Sequence, residues 1–292
     1  MPLLPAEQIA GFVPALNSRA GLAFIELLRK ALGVRELEKY NDKIIDDNKG
    51  ADFAGALLRE MDVDFMISGA QRLRNLPEGP FITVSNHPYG AIDGIMLIDI
   101  FGHLRPEFKV MVNEFLAVVE GLTPSMIQVN PKNDSNNKVT SLNLNGVREV
   151  ISRINESHPI GFFPSGAVSD LHLRDRKIYD RQWQESVIRL IKKARVPVVP
   201  VRFFGRNSMF FYLLGLIDWR VRVLRLPREL ANQKGKGNGI VVGIGETIPV
   251  DKQKEFTDIN EYGQMLRDSV YGMEQDRELV RYSEFLKGTV RQ

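Results

Sequence analysis

A histidine that follows a run of β-branched residues, with a proline, two glycines and a single aspartate close behind, can move protons. That arrangement occurs in Ser85-Asn86-His87-Pro88-Tyr89-Gly90-Ala91-Ile92-Asp93-Gly94. Imidazole is the side chain whose ordinary charge change lies near neutral pH, so His87 suits a general base. Asp93 is the only acid between Pro80 and Ile98, and it can hold one imidazole tautomer and stabilise the cation that forms. On an unbroken helix a six-position step turns two side chains apart. The pair therefore meets only if Pro88 and Gly90 make a loop between them. A loop histidine that merely bonds backbone is the alternative reading, and this stretch alone leaves both open.

Three further segments place reactive or charged groups just after apolar runs. Gly161-Phe162-Phe163-Pro164-Ser165-Gly166-Ala167-Val168-Ser169 leads from a strand into a turn carrying two hydroxyls. Met126-Ile127-Gln128-Val129-Asn130-Pro131-Lys132 ends in polar and cationic groups, and Val196-Pro197-Val198-Val199-Pro200-Val201 is followed by Arg202 and Arg206. In α/β proteins, active groups gather where strands end and loops begin.

In order and approximate spacing these four blocks, over roughly residues 75–210, resemble the glycerolipid acyltransferase family of the lysophosphatidate-acyltransferase type. "NHPYGAID" is similar to its His-x4-Asp motif, "IQVNPK" to its basic block, "FFPSGAVS" to its Phe-Pro-Glu-Gly block and "VPVVPV" to its Val-Pro block. Two departures stand out. Five residues separate His87 from Asp93 instead of four, and Ser165 stands where the family usually has glutamate. The pattern resembles a bacterial branch labelled putative hemolysins, which includes acyltransferases of ornithine and glycine lipids.

The resemblance implies acyl transfer from acyl carrier protein or acyl-CoA to a hydroxyl of a lyso-lipid, an amino-acid lipid or a lysophospholipid, in membrane lipid synthesis. It makes His87 the base and Asp93 its orienting partner. Substrate contacts are expected from Asn86, Gly90, Lys132, Pro164, Ser165, Gly166, Ser169, Arg202 and Arg206, with backbone N–H groups near Gly90 or Gly166 receiving the oxyanion. The acyl thioester is a co-substrate, and no cofactor or metal is expected; His103, His158 and His172 show no ligand spacing. Two other readings compete. A serine hydrolase would use Ser165, although Phe163 and Ala167 stand where a Gly-x-Ser-x-Gly elbow needs glycines. A non-catalytic, peripheral lipid-binding protein would use only the basic segment.

The elements that must position these groups follow from periodicity. Short apolar strands are expected at Phe81–Ser85, Phe108–Asn113, Met126–Asn130, Ile160–Phe163, Val198–Phe203, Val221–Leu226 and Ile240–Ile244. Helices are expected at about 90–102, 138–156, 182–194, 206–217 and 258–287, the last on the surface. This alternation predicts an α/β fold with a mixed, mostly parallel sheet flanked by helices. Residues 1–60 are expected to form an N-terminal helical segment ahead of an acyltransferase domain at 61–292. The loop at 234–239 reads as a hairpin connection.

Composition narrows the class. With 292 residues, 43% hydrophobic and 26% charged, the chain can bury a large core. It has no cysteine, so thiolate chemistry and disulfides are excluded. Between residues 181 and 240 thirteen Lys or Arg face three acids, which favours anionic partners. The apolar run Met209–Ile217, flanked by Arg206, Trp219 and Arg220, suits a membrane interface, so segment 202–228 is expected to meet the bilayer. Neither an RNA- nor a DNA-reading motif occurs, and no nucleic acid is expected. With no signal-peptide pattern at the start, the expected location is cytoplasmic, peripheral to the inner face of the membrane.

Overall fold

The computed structural model describes residues 18–113, 119–129, 132–133, 139–140, 144–217, 222, 224–236 and 239–289. Its strands are β1 Met66–Ser68, β2 Ile82–Ser85, β3 Lys109–Asn113, β4 Met126–Val129, β5 Lys132–Asn133, β6 Val139–Thr140, β7 Ile160–Phe162, β8 Asp170–His172, β9 Lys177–Tyr179, β10 Val198–Phe204, β11 Val241–Ile244 and β12 Leu279–Arg281. Eight of them form one sheet in the order β12-β1-β11-β10-β2-β7-β3-β4. The run from β10 to β4 is parallel throughout, and antiparallel pairing enters only at β10–β11 and β1–β12. The mixed, mostly parallel α/β architecture is the expected one.

The central strands read as unbroken apolar runs because both faces are covered. Residues of β10 serve opposite cores: Val199, Val201 and Phe203 belong to the one that holds Phe53, Leu57 and Phe101, and Val198 to the one that holds Val187, Ile191 and Leu266. Helix Ala91–Leu104 is apolar on nearly every side and lies between the sheet and helix Gly50–Glu60. Gly102 permits that approach, since a Cβ there would stand 2.7 Å from Ala51 Cβ. The last helix of the N-terminal segment thus shares the main core.

Several elements differ from the periodicity. The expected strand Val221–Leu226 is not one: Arg222 and Leu224 are helical, and helix Leu226–Ala231 follows with Pro227 in its first turn. Stretch 258–287 is broken into helix Ile259–Tyr271, β12 and helix Tyr282–Thr289. The first of these lies on the surface with one face turned inward: Tyr262, Leu266 and Val270 are fully buried, whereas Asn260, Glu261, Gln264 and Asp268 are exposed. The elements on either side of 234–239 are helix Leu226–Ala231 and β11, not two strands, and residues 237–238 lie outside the described residues. Strands β1 and β12 were invisible to periodicity because each has three residues.

At the far end of helix Ala91–Leu104, His103 Nδ1 lies 2.9 Å from Asp99 Oδ1 and Nε2 lies 3.4 Å from Asp52. The contact with Asp99 raises the His103 pKa to about 9, against ~6.5 for an unfolded chain. A raised value means that this stabilisation is complete below the unfolded pKa and lost as pH climbs through the folded one. The melting temperature of the wild type is therefore expected to fall between about pH 6.5 and 9 relative to His103→Gln. Parallel Tm–pH curves for the two proteins would refute it.

Candidate active site

Because β2, β7 and β10 run parallel, their C-terminal ends open on one edge of the sheet. That edge receives His87, the Phe163–Ser169 turn and Gly205–Arg206 together. Past Ser85 the strand is continued by a side chain. The Asn86 amide donates to Phe203 O (3.0 Å) and accepts from Phe203 N–H (2.8 Å), clamping the exit of β2 to β10. Both ends of that amide are used, so its place is structural and not a substrate contact.

The chain then turns, and Asp93 enters as the third residue of helix Ala91–Leu104. Its Oδ2 accepts Tyr89 N–H at 2.9 Å, Gly90 N–H at 3.0 Å and His87 Nδ1 at 3.0 Å. The extra residue between His87 and Asp93 is thus taken up in a loop, and the six-position pair does meet. Gly90 has φ +88°, and a Cβ there would press on Leu226 and Val168. Asp93 is wholly buried, and burial pushes its carboxyl pKa up against the opposing pull of His87 and the two N–H groups.

An ionised carboxylate only accepts, so Nδ1 carries the proton and Nε2 is left as the basic nitrogen. Nε2 has no hydrogen-bond partner among the described residues, and the His87 side chain is 13% exposed. Phe163 covers the ring, centroid to centroid 4.1 Å. The dyad is oriented, partly dry and open at its reactive end. That is general-base geometry.

A second buried carboxylate, which the sequence reading missed, steadies the loop from behind. Asp180 Oδ1 accepts Ser169 Oγ–H at 2.6 Å and His87 N–H at 3.1 Å, and Oδ2 accepts Trp183 Nε1–H at 3.2 Å. Ser169 N–H also donates to His87 O at 2.9 Å. Ser169 therefore belongs to the site as a fastener of His87. From the other side Asn207 Nδ2 donates to Tyr89 O (3.0 Å) and Tyr212 Oη to Pro88 O (2.8 Å). Tyr89, with its pKa pushed up to about 12 by burial, keeps its proton and reaches Phe204 O at 3.3 Å. Its hydroxyl occupies the space above Gly205, where a Cβ would be 1.9 Å away.

Other expected contacts are placed differently. Ser165 is fully buried and donates to Ala167 O at 2.7 Å, so its hydroxyl is turned into its own turn and not toward His87. This removes the Ser165 nucleophile required for a serine hydrolase. Gly166 N–H closes a turn to Phe163 O at 2.9 Å, and Gly90 N–H is held by Asp93. Neither is free for an oxyanion. Pro164 O is taken by Gln184 N–H at 2.9 Å, so Pro164 shapes the same turn. Arg202 donates to Tyr271 O and to Met273 O (2.6 Å), capping helix Ile259–Tyr271 away from the dyad. Arg206 is exposed, and beside it Tyr89, Asn207, Ser208, Glu229 and Lys236 line a cavity of about 610 Å³. Lys132 lies on β5, its side chain outside the described residues, as are Asn130 and Pro131.

An oriented His–Asp pair stands at the C-terminal edge of a parallel sheet, and among the described residues no serine hydroxyl is hydrogen-bonded to His87 Nε2. A family model described as "Acyltransferase" matches residues 9–278, and the chain belongs to that family: it is an acyltransferase. It is 30% identical over 270 residues to the lyso-glycine lipid O-acyltransferase of Phocaeicola vulgatus, covering 88% of this chain and 92% of that protein. It is also 30% identical over 236 residues to the protein of that name from Bacteroides thetaiotaomicron, covering 77% and 80%. The solved 1-acyl-sn-glycerophosphate (LPA) acyltransferase of Thermotoga maritima covers 92% of this chain and 86% of its own, with a TM-score of 0.45 and 15% identity. At that level the likeness carries no weight.

Proposed function

We propose that this acyltransferase esterifies a hydroxyl of a lyso-lipid, with a glycine-type amino-acid lipid as acceptor and an acyl thioester as donor. The observation that carries the reading is the 3.0 Å contact between His87 Nδ1 and Asp93 in a chain 30% identical to lyso-glycine lipid O-acyltransferases. His87 Nε2 takes the acceptor's hydroxyl proton as that oxygen attacks the thioester carbonyl. The C–O bond forms, the C–S bond breaks, and the departing thiolate takes the proton from the imidazolium. The products are an ester and a free thiol, of acyl carrier protein or coenzyme A. No covalent enzyme intermediate is needed.

One feature favours an amino-acid lipid over glycerol phosphate. Ser165, which stands where the family usually has glutamate, is neutral and buried, so it offers the acceptor no charged partner. Arg206 and Lys236 in the adjoining cavity supply positive charge for an anionic headgroup, carboxylate and phosphate alike. Glu229 in the same wall is already satisfied by Ser208 and Arg225. The acceptor is reached at a membrane surface, through the segment around 202–228.

The test incubates the enzyme with acyl carrier protein or coenzyme A carrying a labelled chain, against lyso-glycine lipid, lyso-ornithine lipid and lysophosphatidate, with products read by mass spectrometry. Label in the lyso-glycine lipid is expected. Label in lysophosphatidate alone would overturn the acceptor assignment.

A further inference from the structure

Among the described residues nine large apolar side chains stand exposed, and seven of them lie at Leu173 or between Met209 and Leu224. Ile217 is 80% exposed, Leu173 67% and Leu224 61%. A soluble surface usually scatters such residues singly. Six of the seven, all but Leu224, come from two elements that pack together, the β8–β9 hairpin and helix Met209–Ile217.

The two elements are fastened into one face. Beneath it Val168, Phe211 and Tyr212 form a small core against which Leu171, Ile178 and Leu226 pack. Arg222, buried to 4% exposure, donates to Ser169 O at 3.3 Å and to the Asp170 carboxylate, and its guanidinium lies 5.4 Å from the Phe211 ring centroid. Gly215 leaves the room it needs, because a Cβ there would be 2.8 Å from Arg222 Cδ. The outward apolar side chains are therefore held in a fixed arrangement.

Positive charge surrounds them. The hairpin carries exposed Arg174, Arg176, Lys177 and Arg181, and Arg206 and Arg225 flank the helix. Arg225 lies over the Phe210 ring at 4.6 Å. Of the nearby acids, Asp170 is occupied by Arg222 and Arg181, Glu229 is buried on Arg225 and Ser208, and Asp175 is bonded to Lys177 N–H. Aliphatic side chains ringed by guanidinium groups match the boundary between acyl chains and anionic headgroups.

We propose that the β8–β9 hairpin and helix Met209–Ile217 together seat this enzyme on an anionic bilayer, Leu173 and Ile217 entering the acyl region. The inference rests on the lyso-lipid reading for its purpose but not for its evidence. The inner side of this face holds the catalytic loop, through Tyr212 Oη to Pro88 O and Ser169 N–H to His87 O. Docking therefore brings His87 to the headgroup level, and a lyso-lipid meets the base without first crossing water.

The experiment is flotation of the full chain with phosphatidylcholine vesicles, with and without phosphatidylglycerol. Wild type is expected to float with the anionic vesicles, less so at high salt. Leu173→Glu/Ile217→Glu should weaken flotation by about tenfold or more. Arg174→Glu/Arg176→Glu should abolish the preference for phosphatidylglycerol. Should the glutamate pair unfold, as judged by circular dichroism, Leu173→Ser/Ile217→Ser replaces it, since neither side chain is buried. Transfer to a short-chain, water-soluble acceptor should be unchanged in these variants. Wild-type flotation in both apolar variants would overturn the proposal, as would loss of acyl-carrier-protein binding with vesicle binding intact. Vesicle binding without any acyl transfer would instead count against the proposed reaction and leave this face standing.

Discussion

His87→Ala is expected to lower the turnover of acyl transfer by about 10²–10⁴-fold, the usual contribution of a positioned general base. The acceptor KM should change little, because His87 acts on the reacting hydroxyl and not on the rest of the lipid. Stability should survive, since the side chain lies at the sheet edge and, among the described residues, makes one hydrogen bond, the one to Asp93. Steady-state kinetics with a lyso-lipid acceptor, alongside a thermal melt, separates these effects. Turnover within about threefold of wild type would place the base elsewhere.

Asp93 should show two effects that different substitutions separate. Asp93→Ala strips the partner from two buried N–H groups and from His87 Nδ1 at once. Leaving buried donors unsatisfied costs about 1–3 kcal/mol each, so denaturant unfolding should show a loss of that order or more. Asp93→Asn keeps an oxygen for the Tyr89 and Gly90 N–H groups but withdraws the negative charge that steadies the imidazolium. The fold should then hold while turnover falls about 10²–10⁴-fold. A fully active Asp93→Asn would show that the carboxylate only shapes the loop.

Much of the framework was legible in the chain. Strands β2, β7 and β10 each combine β-branched or aromatic residues with a turn signal at the exit, because strands buried on both faces carry an unbroken apolar run. The loop between His87 and Asp93 followed from Pro88 and Gly90, whose backbone preferences are local. Helix and strand ends were less legible. "VRVLRL" alternates like a strand, yet Arg222 and Leu224 are helical, and Arg222 is drawn inward by Asp170. The three-residue strands β1 and β12 exist only because β11 and β1 offer them a ladder to join.

What the amino-acid order determined by itself was the chemistry on offer: one imidazole, one carboxylate within a turn of it, and a parallel sheet whose strand exits collect on one edge. The tertiary structure decided which polar groups were left to work. Asn86, Ser165, Gly166 and Arg202 occur in the right blocks, but Ser165 and Gly166 spend their hydrogen bonds inside their own turn, and Asn86 and Arg202 spend theirs on backbone groups that only folding brings near. Asp180 is the converse, an unremarked acid in a charged run, 93 positions from His87, that folding carries to the back of the catalytic loop. Local spacing governs what a turn can bring together. Partners across the sheet depend on strand order, and strand order is a property of the whole core.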